Sequence, residues 1–141
     1  MGTASVSPLN RSMLPNFLQP ESVHRSDGES EAIALGEAKG KLIQLTLGIT
    51  RIIEQESLDI SIWASEDGAN WGERPLVAFP QKFYCGTYSL LLDLQSNSTA
   101  TFLKAKWKMS RWGRGDPKPM FGFYIFAEEA STGMVARAGL A

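Results

Sequence analysis

The sequence predicts an all-β fold: an antiparallel β-sandwich of seven to eight strands, preceded by an extended N-terminal arm. Three observations lead to this prediction. Apolar and polar residues alternate with a period of two through most of the chain after residue 31, as they do along half-buried strands. Turn-forming residues separate these stretches at a spacing of roughly 10–15 residues, which is typical of sandwiches. The connections are too short for the crossovers that parallel strands need, so an antiparallel arrangement is favoured, with a small barrel as the alternative.

The N-terminal arm is expected to comprise residues 1–30, because prolines and small polar residues dominate there and apolar residues are scattered. We expect the arm to be extended, or disordered unless it docks. Leu14, Phe17 and Leu18 are the candidate docking residues. The sandwich is predicted to occupy residues 31–129, and residues 130–141 to form a C-terminal tail.

Five longer strands are expected, at residues 42–53, 58–65, 88–94, 101–109 and 121–127. Shorter strands are expected at residues 32–35, 76–79 and 82–84. In the first long strand, Ile43, Leu45 and Leu47 fall on one face, and Gln44 and Thr46 on the other. Residues 88–94 differ, because their apolar run is nearly continuous, which predicts a strand buried on both faces.

Composition excludes several classes of protein. The chain has 141 residues, 43% of them hydrophobic, which is enough for one domain with a real core. Its apolar runs are too short for a membrane span, which needs about 20 residues. We find no signal peptide, so we expect a cytoplasmic protein or part of a released assembly. The single Cys85 excludes a disulfide framework and multi-cysteine zinc sites.

A short motif stands out at Ser65-Glu66-Asp67-Gly68-Ala69-Asn70-Trp71. Asp67-Gly68 predicts a tight turn, with Gly68 supplying a positive φ. The pattern resembles the S-x-D-G-x-x-W signature of discoidin-type, galactose-binding-like domains, and the resemblance extends over residues 32–127. It implies a jelly-roll or discoidin-like sandwich, and such domains often hold calcium, for which Asp67 and Asn70 would be ligands. The turn alone accounts for these residues, so we expect no cofactor and no metal.

Basic residues are concentrated between positions 99 and 119, and this segment contains only one acidic residue. The basic residues are Lys104, Lys106, Lys108, Arg111, Arg114 and Lys118. The alternating lysines predict a basic stripe on one strand face. The candidates for ligand or partner binding are Trp63, Trp112 and all of these basic residues except Lys118. The alternatives are a solvated face whose lysines discourage edge pairing, which we favour, and attraction to the acidic segment of another copy.

Catalysis is not expected. The only histidine, His24, falls in the arm, and Cys85 has no histidine beside it in the predicted domain. The acidic pairs Glu66-Asp67 and Glu128-Glu129 are chain neighbours, so their side chains would point apart on a strand.

Several aromatic residues fall out of phase with the predicted core faces, namely Trp63, Tyr84, Tyr88, Tyr124 and Phe126. Aromatic side chains on an outer face suggest that something covers them. We therefore expect a non-catalytic structural or adaptor subunit that forms a homo-oligomer through its arm and these aromatics. The alternative is a carbohydrate- or polyanion-binding module that uses Trp63, Trp112 and the basic segment 104–118. We do not expect nucleic acid as a partner, since the net charge is only −1.

Overall fold

The computed structural model describes residues 14–115 and 117–130. Within these residues nine strands form two sheets, with short 3₁₀ turns at Gly36–Ala38 and Gln95–Asn97. The strands are β1 (Asn16–His24), β2 (Gly28–Glu29), β3 (Ile33–Ala34), β4 (Leu42–Ile52), β5 (Glu56–Ser65), β6 (Val77–Ala78), β7 (Gly86–Asp93), β8 (Phe102–Arg111) and β9 (Phe121–Glu129). No described helix is long and apolar enough to cross a membrane.

The strands are divided between two sheets. Sheet 1 is ordered β1-β9-β4-β7, and sheet 2 is ordered β2-β8-β5-β6, with β3 also paired to β8. All pairings are antiparallel. When β2 and β3 are counted as one interrupted strand, this order is that of a jelly roll. The prediction of an antiparallel all-β sandwich is confirmed.

The core lies between the sheets and is built by the period-two alternation. In β4, Ile43, Leu45 and Leu47 are fully buried. In β8, the predicted alternation is confirmed, since Leu103, Ala105 and Trp107 point inward. Every second side chain of β8 therefore points into the core, and the lysines that alternate with them lie on the outer face of sheet 2.

The first described strand of the sandwich starts at Asn16, earlier than the predicted boundary at residue 31. Residues 16–24 pair with β9, and residues 28–29 pair with β8. Leu18 is only 2% exposed, so it belongs to the core. This part of the predicted arm therefore forms strands of both sheets within its own chain. Residues 1–13 of the arm and 131–141 of the predicted tail lie outside the described residues.

Strand β7 differs from its prediction, because it is an edge strand and not one buried on both faces. It pairs with β4 in a continuous register from Leu42 opposite Asp93 to Ile49 opposite Gly86. Tyr88, Leu90 and Leu92 face the core. The prediction that Tyr88 lies on the outer face of its strand is therefore wrong. Leu91 is half-buried on the outer face, which explains the continuous apolar run.

Candidate functional site

Loops from β4–β5, β6–β7 and β8–β9 gather at one end of the sandwich, and the latter two carry three exposed aromatic side chains. Phe83, Tyr84 and Trp112 are 38%, 66% and 59% exposed. The ring centroid of Phe83 is 6.3 Å from that of Tyr84 and 6.3 Å from that of Trp112. We call these three residues the aromatic cluster. A cavity of about 290 Å³ lies beside them and is also bordered by residues 54–56.

Hydrogen bonds hold the loops of this end together. The carboxylate of Glu56, which is 1% exposed, accepts from the backbone N–H of Ile53 at 3.0 Å and of Met120 at 2.8 Å. The guanidinium of Arg111 donates to the carbonyls of Glu54 and Arg114. Buried charged acceptors of this kind fix the loops that they join. The loops that carry the aromatic cluster are therefore held in fixed positions.

Trp63 lies elsewhere, on the outer face of sheet 2. The Nζ of Lys106 sits 4.0 Å from its ring centroid, and its indole Nε1 donates to the Oγ of Ser61 at 2.9 Å. Such a cation–π contact occupies one face of the ring. Trp63 and Trp112, which were predicted to act together, therefore lie on different surfaces of the protein.

Two of the lysines of β8, Lys104 and Lys106, contact other side chains of the same chain. Lys104 pairs with Glu29 at 2.9 Å, has a side chain only 13% exposed, and lies 4.5 Å from the Trp71 ring centroid. Its hydrogen bond to Glu29 lowers the pKa of that carboxyl. Lys108 is exposed. Strand β8 is central in sheet 2, with β5 on one side and β2 and β3 on the other. The prediction that its lysines discourage pairing at an edge is therefore wrong.

The turn predicted at Asp67-Gly68 is present at the opposite end of the sandwich. The Oδ1 of Asp67 accepts the backbone N–H groups of Ala69 and Asn70 and the hydroxyl of Ser65, all within 2.9 Å. These bonds lower the pKa of Asp67 to about 2. Gly68 has a φ of +80°, as the prediction required. Within residues 14–115 and 117–130, His, Cys, Asp and Glu side chains form no group of three that could hold a metal ion.

The predicted docking residues contact their own chain. Leu18 is in the core and Leu14 packs against it. Phe17 lies on the outer face of sheet 1, with its ring centroid 5.9 Å from that of Tyr124 and 5.0 Å from that of Phe126. Two of the out-of-phase aromatics are thus covered in part by β1.

In the part of the chain that the structure describes, three of the four sheet edges are interrupted. In sheet 1, β1 contains Pro20 and two register shifts against β9. In sheet 2, β2 and β3 have two residues each, and β6 has two residues followed closely by Pro80. Prolines, bulges and short strands are the usual means by which proteins prevent an edge from pairing with another chain.

The fourth edge, the outer side of β7, carries none of these protections among the described residues. Its eight residues read Gly-Thr-Tyr-Ser-Leu-Leu-Leu-Asp, with one charge, at the last position. Within residues 14–115 and 117–130, β4 is its only strand partner. We call this side of β7 the open edge. The sequence does not predict it, because an apolar run without charges is equally typical of a central strand.

The resemblance to discoidin-type domains rests on the turn between Ser65 and Trp71, and it stays a prediction. The same hydrogen bonds that form this turn would serve in any sandwich that needs a tight connection there. No protein-family model matches the chain, and no curated protein matches it.

Proposed function

We propose that the protein is a non-catalytic structural or adaptor subunit that associates with copies of itself. The observation that supports this function is the contrast between the open edge and the other three edges. An unprotected edge of eight residues presents a row of backbone N–H and C=O groups that can pair with another strand. A chain whose described residues protect the other edges and leave this one open is suited to pairing there.

The route of association differs from the one first expected. Residues 16–24 already pair with β9 of the same chain, and Phe17 packs on Tyr124 and Phe126. The described part of the arm is therefore used within one chain. This favours the open edge over the arm as the surface of association.

The experiment is a comparison of molecular mass in solution between the full chain and its Ser89→Lys variant. Ser89 lies in the middle of β7 with an exposed side chain, so the substitution should leave the fold intact. Lysine on an edge strand opposes pairing, and we expect association to weaken by about fivefold or more. Sedimentation velocity over a range of concentrations measures this.

The matched control is Val23→Lys, which places the same charge on β1, the other edge strand of sheet 1. Val23 is 43% exposed. We expect this variant to associate like the unaltered chain. A full chain that stays monomeric at high concentration would contradict the proposed function.

The second candidate function is carbohydrate binding, and the aromatic cluster is the observation that favours it. Exposed Tyr84 and Trp112 offer flat apolar faces, and the neighbouring Glu54 and Gln55 offer groups that can bond to hydroxyls. The site for this candidate is thus the loop end and excludes Trp63.

This candidate is tested by titrating the full chain with neutral oligosaccharides and with heparin, followed by calorimetry or NMR. If carbohydrate binds here, Trp112→Ala should weaken binding by at least about tenfold. Phe17→Ala, which removes an exposed aromatic elsewhere, serves as the control. Binding that is unaffected by Trp112→Ala would exclude the aromatic cluster as the site.

A further inference from the structure

We infer that the partner on the open edge is a second copy of the chain, paired through β7 in antiparallel fashion about a twofold axis, with Ser89 opposite Ser89. This inference rests on the proposed function and specifies its geometry. Antiparallel pairing of a strand with its own copy is self-complementary, since each strand presents the same groups to the other. No additional partner is then required to cover the edge.

The faces of β7 limit the registers that such a pair can adopt. Tyr88 and Leu90 point toward the core, and Thr87 and Ser89 point outward. Residues directly opposite in an antiparallel pair have their side chains on the same face. A twofold axis perpendicular to the sheet keeps both cores on one side, so inward residues must lie opposite inward residues. Near the middle of β7, the axis can therefore pass only at Ser89 or at Leu90.

Burial favours the axis at Ser89. In that register Tyr88 lies opposite Leu90 of the second copy, and both side chains are half-buried at the open side of the core. Each would then cover apolar surface that a single chain leaves accessible. With the axis at Leu90, the two copies of Leu90 would face each other, and Tyr88 would face Leu92. Leu92 is already only 4% exposed, so the two Tyr88–Leu92 pairs would bury less new surface than the two Tyr88–Leu90 pairs.

The pairing also sets the size of the assembly. A twofold contact uses the open edges of both copies, and the remaining edges are interrupted by Pro20, by Pro80 or by the shortness of β2 and β3. Isologous contacts of this kind close on themselves. We therefore expect a dimer in which sheet 1 of each copy, with four strands, joins the other in one continuous sheet.

Disulfide trapping tests this register in the full chain. The exposed native thiol is first removed by Cys85→Ser, and Ser89→Cys is added. Residues opposite each other in an antiparallel pair have Cα atoms about 4.5–5.5 Å apart, within the range that a disulfide spans. We expect mild oxidation to convert most of the Ser89→Cys chain to a covalent dimer, seen on a non-reducing gel.

The matched control is Thr87→Cys in the same Cys85→Ser background. Thr87 lies on the same strand and face and is also exposed. In the inferred register its copy lies four residues along the strand, roughly 13 Å away, which is too far for a disulfide. We expect little or no covalent dimer from this variant.

The outcomes separate this inference from the proposed function. Noncovalent dimers by sedimentation, together with crosslinking at position 89 and not at position 87, support both. Dimers or larger species without crosslinking at position 89 overturn the β7 register and leave self-association standing. A full chain that stays monomeric overturns both.

Discussion

At the scale of single residues, His24 illustrates how position in the fold sets chemistry. Its ring centroid lies 4.7 Å from that of Trp107 and 4.7 Å from that of Phe123, where the end of β1 meets the core. Its Nε2 is 2.8 Å from the hydroxyl oxygen of Ser22. Partial burial lowers the pKa of His24 from its usual 6.5. The residue is placed to pack as a neutral ring.

Stability should therefore fall as the pH drops below 6.5. The unfolded chain takes up a proton on His24 at a higher pH than the folded chain does, so protonation favours unfolding. The stabilisation is complete above pH 6.5 and is lost progressively below it. Urea unfolding at several pH values between 5 and 7.5 measures this slope. In His24→Phe, the slope over this window should be smaller; an unchanged slope would show that another group causes it.

The turn at Asp67 shows what could be predicted from residue types alone. An Asp-Gly pair predicts a turn because aspartate accepts backbone N–H groups and glycine adopts positive φ, and both features are present. The contact of Lys106 with Trp63 could not be predicted in this way. It depends on the alignment of β5 with β8, in which Trp63 lies opposite Lys104 and diagonal to Lys106. That alignment is a property of the sheet.

At the scale of elements, β1 shows how a strand can be mistaken for an arm. Its sequence contains Pro20 and lacks strict alternation, because two register shifts interrupt its pairing with β9. Bulges break the period-two pattern from which strands are predicted. Leu18 nevertheless reaches the core and Phe17 the outer face. The strand is held by its pairing and by this one buried anchor.

Leu18→Ala should accordingly destabilise the whole domain. Removing a fully buried leucine costs about 2–5 kcal/mol in the free energy of unfolding. Phe17→Ala is the matched control on the adjacent residue, because Phe17 is 43% exposed and loses mainly its ring contacts, worth about 1 kcal/mol. Urea unfolding of the three chains measures both values. Equal and small losses would mean that β1 contributes little to the stability of the fold.

Strand β7 marks the limit of prediction at this scale. Its existence could be predicted, since its residues favour strands and turn-forming residues flank it. Its position at the edge could not, because Leu90 and Leu91 give the same apolar run in a central strand and in an unprotected edge. Only the strand order of sheet 1 distinguishes the two. The proposed site of association was therefore invisible in the sequence.

At the scale of the whole molecule, the jelly-roll order separates two potential surfaces. The loops that follow β4, β6 and β8 converge at one end, where the latter two carry the aromatic cluster. The open edge runs along the side of sheet 1 and starts just after Tyr84 and Cys85. Pairing through β7 would leave Trp112 on the loop end of each copy. Self-association and ligand binding could thus coexist in one dimer.

If the folded state is a dimer, its thermal stability should depend on protein concentration. Association stabilises the folded chain by mass action, so the midpoint of thermal unfolding rises as the concentration rises. For two chains of this size that unfold together, we expect an increase of about 3 °C for each tenfold increase in concentration. Differential scanning calorimetry at three concentrations measures the effect. The Ser89→Lys variant should show a smaller dependence and Val23→Lys the full one, since only the former places a charge at the centre of the open edge. A midpoint that is independent of concentration in the unaltered chain would contradict the dimer.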